Sequence, residues 1–378
     1  MATIIAWQPE FTALVVAAAL FSVGCAYLAD GPQTGATAQP PLKVLAAKRG
    51  LNIGVCVSPE ALRNDPGYGK LLAEQFDIVT PENAMKFAHI QPERGTFTWD
   101  DADQIVDFAV QHGMKIRSHT ALWHHAVPEW IADGAFARRQ WEQIAKDQIA
   151  AIAQRYGDRL TYWDVVNEAI ADDGQLRETI WLKTLGPDYL EKAYRWAHAA
   201  APNVKLVYND YGAEMKNAKS DAIYAMARDF LDRGVPLHAI GFQMHFIKSM
   251  PDPRKIAENL RRFAELGLEL HVTELDIAIQ KMSGTRAEQL EQQADLYRRV
   301  MEVCLSVKAV TVFQMWGLDD GHSWVPWFTK QPDAALLFDR DYQPKPAYHA
   351  VTRTLAEFQP DADADASQTC PVIADSVK

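Results

Sequence analysis

Eight apolar stretches, at about 51–58, 76–83, 115–123, 161–168, 205–210, 239–245, 268–276 and 309–316, alternate with helical patterns such as Trp99–Gln111, Arg139–Tyr156, Leu190–Ala200 and Glu288–Val307. This alternation constrains the fold more than any other feature of the chain. Strand–helix units in series build a parallel sheet, and eight of them over this length close into a barrel. An open, doubly wound sheet is the competing architecture. It needs a Gly-rich phosphate turn after an early strand, and the sequence has none. The fold expected is therefore α/β, a single (β/α)8 TIM barrel over residues 42–358.

In such a barrel the chemistry sits at the C-terminal ends of the strands. Those ends read Ser58; Glu82 and Asn83; His119, Trp123 and His124; Asn167 and Glu168; Asn209, Asp210 and Tyr211; Gln243 and His245; Glu274 and Asp276; Gln314 and Trp316. Nearly all are polar or aromatic, which chance placement would rarely give, and a buried strand avoids polar side chains without a reason. Tyr162 to Val166 is an apolar run ending on Asn167 and Glu168, and the run at 268–276 ends on Glu274 and Asp276. Two strand-terminal carboxylates in one barrel suggest an acid/base and a nucleophile facing each other, the arrangement of a glycosidase.

Composition bounds the alternatives. A net charge of −11 without a basic run argues against nucleic acid as a partner. Eleven Trp exceed what packing alone needs, so some are expected to stack on a ligand. The four Cys form no disulfide framework; Cys56 and Cys304 are expected as buried thiols, while Cys25 falls in the leader and Cys370 in the tail. Phe11 to Ala29 is an uncharged apolar run, so residues 1–29 are expected to be a signal peptide, a lipoprotein leader modified at Cys25, or a membrane anchor. Export is expected in each case, to the periplasm, the cell surface or the medium. Residues 30–41 read as a flexible linker and 359–378 as an acidic, disordered tail. A monomer is expected.

The segments at 81–86, 118–124, 163–169, 209–211, 241–245, 273–276, 316–317 and 337–348 resemble glycoside hydrolase family 10, in order and over about 42–358. Most members are secreted endo-β-1,4-xylanases that retain anomeric configuration. The resemblance implies that Glu168 is the general acid/base and Glu274 the nucleophile, with carboxyls about 5–5.5 Å apart. It implies that His245 and Asp276 support the nucleophile, and that Asn167 bonds the sugar 2-hydroxyl. Gln243, expected on the same strand face as His245, resembles the residue beside the nucleophile. Glu82, Asn83, Lys86, His119 and Trp123 resemble contacts on the glycone side. Trp316 and Trp324 resemble aromatic walls over the sugars, and Tyr211 a platform on the leaving-group side. The implied partner is β-1,4-xylan or a xylo-oligosaccharide.

The sequence leaves the family pattern at Phe87, where Trp usually follows the Lys, at Ala126, where Gln is usual, and at Gly212, where Asn is common. These departures bear on affinity and substrate length. Among other readings, His119, His124, His125, His245 and His322 lack the ligand spacing of a zinc site, so no metal or cofactor is expected. A serine hydrolase would want a Gly-x-Ser-x-Gly turn, which is absent. A β-1,4-glucanase or mixed glucan/xylan enzyme on the same barrel is the near alternative. A sugar-binding barrel without activity is the distant one, since it would be expected to lack one of the two acids.

Overall fold

In the computed structural model the described residues are 39–359. The expected leader, most of the linker and the acidic tail lie outside them. Nine parallel strands form one sheet: β1 (Asn52–Val57), β2 (Ile78–Pro81), β3 (Lys115–Leu122), β4 (Tyr162–Asn167), β5 (Lys205–Asp210), β6 (Ala239–Phe242), β7 (His245–Phe246), β8 (Glu269–Ile277) and β9 (Val310–Met315). β1 pairs with both β2 and β9, and β6 pairs with β8, so the sheet closes on itself. β6 and β7 are two pieces of one stave, which makes the expected eight-staved (β/α)8 barrel.

That split departs from the single strand expected at 239–245. Met244 has φ +61°, a left-handed conformation that breaks an extended ladder. Pairing resumes at His245 and Phe246, opposite Asp276 and Ile277 of β8. Other elements follow the sequence pattern closely. The helix expected from Glu288 begins earlier, at Arg286, because Thr285 and Glu288 form a capping box: the Thr285 N–H donates to Glu288 Oε2 at 2.7 Å and the Glu288 N–H to Thr285 Oγ1 at 3.4 Å.

Strands of a parallel barrel are buried on both faces, and the alternation sorts their side chains. In β4, Trp163 and Val165 point outward into the apolar layer under the helices, whereas Tyr162 turns in. Each buried aliphatic side chain of that layer contributes roughly 1.5–3 kcal/mol. Inside, Ile78, Tyr162, Val207, Ala239 and Val312 from five strands plug the N-terminal end. Two residues further along β4, the lining becomes charged. Arg117 Nε donates to Asp164 Oδ2 at 2.9 Å and Nη2 to Oδ1 at 2.5 Å, with both side chains 1% exposed. Arg117 Nη1 reaches His271 Nδ1 at 3.0 Å, from the opposite wall. Burial and the Arg117 charge push His271 down to about 4, against the opposing pull of Glu269, so its neutral ring accepts from Arg117.

Gly241 makes room for this layer. A Cβ there would lie 2.4 Å from Asn209 Oδ1 and 3.1 Å from Arg117 Nη2, so any larger residue displaces both. Breaking the Arg117–Asp164 pair from one side would leave a buried charge unmatched, at a cost of about 3–5 kcal/mol. Cys56 and Cys304 are buried, as expected, and burial pushes the Cys304 thiol up to about 12. Among the described residues no helix is long and apolar enough to cross a membrane.

Candidate active site

The charged layer leads upward to the C-terminal rim. Asp164 Oδ2 also meets His119 Nδ1 at 2.9 Å, so the ring that enters the rim is oriented from below. Above it, Asn167 ends β4 and Glu168 follows it. Glu168 has φ +58°, and its N–H donates to Asn209 O at 3.0 Å, which turns the side chain off the strand line. Arg177 Nε, from the following loop, donates to Glu168 O at 2.8 Å. The Glu168 carboxyl accepts on Oε1 from Asn167 Nδ2 at 3.1 Å and from Gln243 Nε2 at 3.0 Å.

Glu274 stands on β8 in a different environment. Its Oε1 accepts from Asn209 Nδ2 at 2.7 Å, and its Oε2 lies 3.1 Å from His245 Nε2. The other His245 nitrogen, Nδ1, is 2.7 Å from Asp276 Oδ2. A carboxylate on each nitrogen makes both of them donors. Burial works against the imidazolium, but Asp276 and Glu274 outweigh it and raise His245 to about 10. Burial likewise works against the Glu274 carboxylate, but the His245 hydrogen bond, the His119 and His245 charges and the Asn209 donor hold it down at about 2. Burial lifts Asp276 above the usual carboxylate range, while His245 and the Trp324 indole N–H at 2.7 Å pull the other way.

The two carboxyls are joined through amides. Asn209 Nδ2, which holds Glu274, also donates to Asn167 Oδ1 at 3.0 Å, and Asn167 in turn holds Glu168. Thr273 Oγ1 fixes the Asn209 carbonyl at 2.7 Å, so this amide cannot flip without losing bonds at both ends. The structure thus brings Asn167, Glu168, Gln243, His245, Glu274 and Asp276 into one hydrogen-bonded group. Gln243 and His245 both reach it, but through the turn at Met244 rather than as alternate residues of one strand.

The expected glycone contacts cluster on the neighbouring rim. Lys86 is 7% exposed, with Nζ donating to Asn83 Oδ1 at 2.8 Å and sitting over the Trp123 ring at 4.9 Å and the Trp316 ring at 5.8 Å. Burial lowers the Lys86 ammonium, against Glu274 and Glu82, and raises the Glu82 carboxyl, against Lys86. His119 meets Trp316 edge-on at 5.3 Å. Trp324 packs against His245 at 5.0 Å. Tyr211 lies on the other side, its hydroxyl accepting from Arg177 Nη2 at 3.0 Å and its ring under Lys219 Nζ at 3.4 Å.

Several strand-end residues have other duties. Ser58 caps the helix Pro59–Asn64, accepting from the Ala61 N–H at 3.3 Å. Gln314 is buried inside the barrel and donates to Thr80 Oγ1 at 2.9 Å. Phe87 stacks on Trp181 at 6.1 Å and is 3% exposed, so it belongs to the apolar core rather than to the rim. Gly212 has φ +67°, a conformation that Gly and Asn both tolerate. The Ala126 carbonyl accepts from the Ala88 N–H at 3.0 Å.

Sequence reasoning missed the direct contact of Asn209 with Glu274, although its strand-end position was the available signal. It gave no hint of Arg177, which lies in a loop. It also missed that His124 and His125 offer donor atoms within 4.8 Å of each other and of Glu168. Burial and the adjacent His125 lower His124 to about 4. His322 is not part of this group; its Nδ1 lies 2.8 Å from Asp319.

The chain is 39% identical over 319 residues to the endo-1,4-β-xylanase B of Thermotoga neapolitana, covering 84% of this chain and 92% of that protein. It is 39% identical over 314 residues to the exoglucanase XynX of Acetivibrio thermocellus, covering 79% of this chain and 28% of that protein. Xylanase 10B of Thermotoga petrophila RKU-1 in complex with xylobiose superposes with a TM-score of 0.82 at 38% identity, covering 85% and 99% of the two chains. Residues 41–354 match the model of glycosyl hydrolase family 10. With the barrel, its rim and these relatives in agreement, the chain belongs to glycosyl hydrolase family 10.

Proposed function

We propose that this glycoside hydrolase is a retaining endo-β-1,4-xylanase, with Glu274 as nucleophile and Glu168 as general acid/base. The observation that carries the reading is the pairing of Glu274 with doubly hydrogen-bonded His245, across the Asn209–Asn167 bridge from Glu168. A carboxylate held at about 2 is ionised at any working pH and ready to attack the anomeric carbon. Its C–O bond to the sugar forms as the glycosidic C–O bond breaks, and Glu168 gives its proton to the departing oxygen. Glu168 then takes a proton from water, which attacks the anomeric carbon and releases Glu274.

Asn167 does more than orient the acid in this scheme. Asn167 is set to bond the sugar 2-hydroxyl, a contact that strengthens as the ring approaches an oxocarbenium ion. Lys86, Asn83, Glu82 and His119 hold glycone hydroxyls, and Trp123, Trp316 and Trp324 cover apolar sugar faces. Tyr211 faces the leaving-group side.

Xylan as substrate is supported by the xylobiose complex of the Thermotoga petrophila enzyme and by the name of the Thermotoga neapolitana relative. The exoglucanase name of the Acetivibrio relative favours a second reading, a mixed glucan/xylan enzyme. Xylose lacks the C5 hydroxymethyl group, and an indole wall at Trp316 and Trp324 would exclude one sterically. Comparing kcat/KM on aryl xylobioside and aryl cellobioside decides between them: the xyloside is expected to win, and higher efficiency on the glucoside would overturn the xylanase reading. NMR of early products is expected to show the β-anomer first; early α-anomer would exclude double displacement. Export or membrane attachment is proposed from the N-terminal run alone, to be checked by the mass of the mature N-terminus; a monomer is proposed separately, to be checked by light scattering.

A further inference from the structure

We propose that His124, His125 and Glu168 form a binding site for a divalent transition metal such as Zn2+, and that its occupancy stops turnover. The two histidines occupy the loop after β3, and Glu168 follows β4, so the parallel pairing of these two neighbouring strands brings them together. Their donor atoms all lie within 4.8 Å of one another. The two imidazoles are side by side, with centroids 4.2 Å apart and planes tilted by 42°. His124 Nδ1 is buried without a hydrogen-bond partner, so its lone pair is uncommitted. Both side-chain hydrogen bonds to Glu168 fall on Oε1, which leaves Oε2 to coordinate.

Zinc bound at about 2.0–2.2 Å sets neighbouring donors roughly 3.3 Å apart, so the group has to contract. His125 is exposed and can supply that movement by rotation of its side chain. Two imidazoles and a carboxylate suit Zn2+ or Ni2+ rather than Mg2+ or Ca2+, which prefer oxygen. Two cations face the site. Lys219 is matched by Asp210 at 2.8 Å, whereas Arg177 opposes the metal and limits its affinity. His119, His245 and His271 are already engaged by Asp164, Asp276 and Arg117 and do not compete. A metal on the Glu168 carboxyl takes the place of its proton. The loss of turnover, unlike the binding, rests on the acid role proposed for Glu168.

The test is calorimetric titration of Zn2+ into metal-stripped wild type, His125→Ser and Glu168→Gln, with thermal melts to confirm folding. One Zn2+ per chain is expected in wild type, with affinity at least about tenfold weaker in each variant. Wild type that binds no Zn2+, or His125→Ser that binds it as tightly as wild type, overturns the site. In parallel, Zn2+ is expected to inhibit hydrolysis of an aryl xylobioside by wild type, reversibly with a chelator, while Mg2+ does not. His125→Ser is expected to keep its metal-free activity and to need at least about ten times more Zn2+ for half-inhibition. Binding that depends on His125 and Glu168 without any inhibition would keep the site and sink the acid role of Glu168.

Discussion

Glu168, just past β4, and Glu274, on β8, share one rim with β5 and β6 between them, yet they are held by different kinds of partner. Glu274 is set among charges: His245 on one oxygen, Asp276 behind the imidazole, Asn209 on the other oxygen. Glu168 is set among neutral amides, Asn167 and Gln243, and its backbone is pinned by Asn209 and Arg177. The charged surroundings fix a state of ionisation; the amide surroundings fix an orientation. A nucleophile needs the first and a group that gives and retakes a proton needs the second.

The largest effect is expected from removing the fixed carboxylate. Glu274→Ala should lower kcat on xylan by at least about 10^4-fold, measured as reducing-sugar release, because the proposed nucleophile is gone. A small external nucleophile such as azide should restore cleavage of an activated aryl xyloside with inverted configuration. Activity equal to wild type would remove Glu274 from the reaction.

Next comes Glu168→Ala, with a loss of about 10^2- to 10^4-fold on xylan. Aryl substrates with good leaving groups should be cleaved far better than xylan, because their departure needs no proton. Equal losses on both substrates would erase the distinction between the two carboxyls.

His245→Asn tests the charge itself. The substitution removes the imidazolium while burial stays, so the Glu274 pKa should rise from about 2, with the His119 charge and the Asn209 donor left to hold it down. Under the proposed mechanism the ionised form attacks, so the acid limb of kcat/KM should move upward by about one to three pH units. An acid limb in the same place as wild type would show that His245 does not hold Glu274 ionised.

The smallest effect is expected from Trp324→Phe, which keeps an aromatic ring but deletes the N–H donated to Asp276. One such bond is worth about 0.5–1.5 kcal/mol, so kcat/KM should fall about 2- to 12-fold, with a slight rise of the acid limb. A far greater loss, confined to KM, would make Trp324 chiefly a sugar platform.

Much of this was legible in the order of residues. The strand–helix alternation required a parallel barrel, and polar residues at the ends of apolar strands marked the rim, because burial of such groups has a cost that needs a reason. Periodicity could not foresee the turn at Met244, the entry of Gln314 into the barrel or the withdrawal of Phe87 into the core. Each depends on what the neighbouring staves leave open. The sequence by itself determined the kind of fold and which side chains end its strands, since both follow from local hydrophobic pattern. Only the tertiary structure decided who touches whom: Asn209 on Glu274, Arg117 across to His271, the adjacent histidines beside Glu168. Those contacts join positions far apart in the chain, and their geometry is set by the register and closure of the barrel.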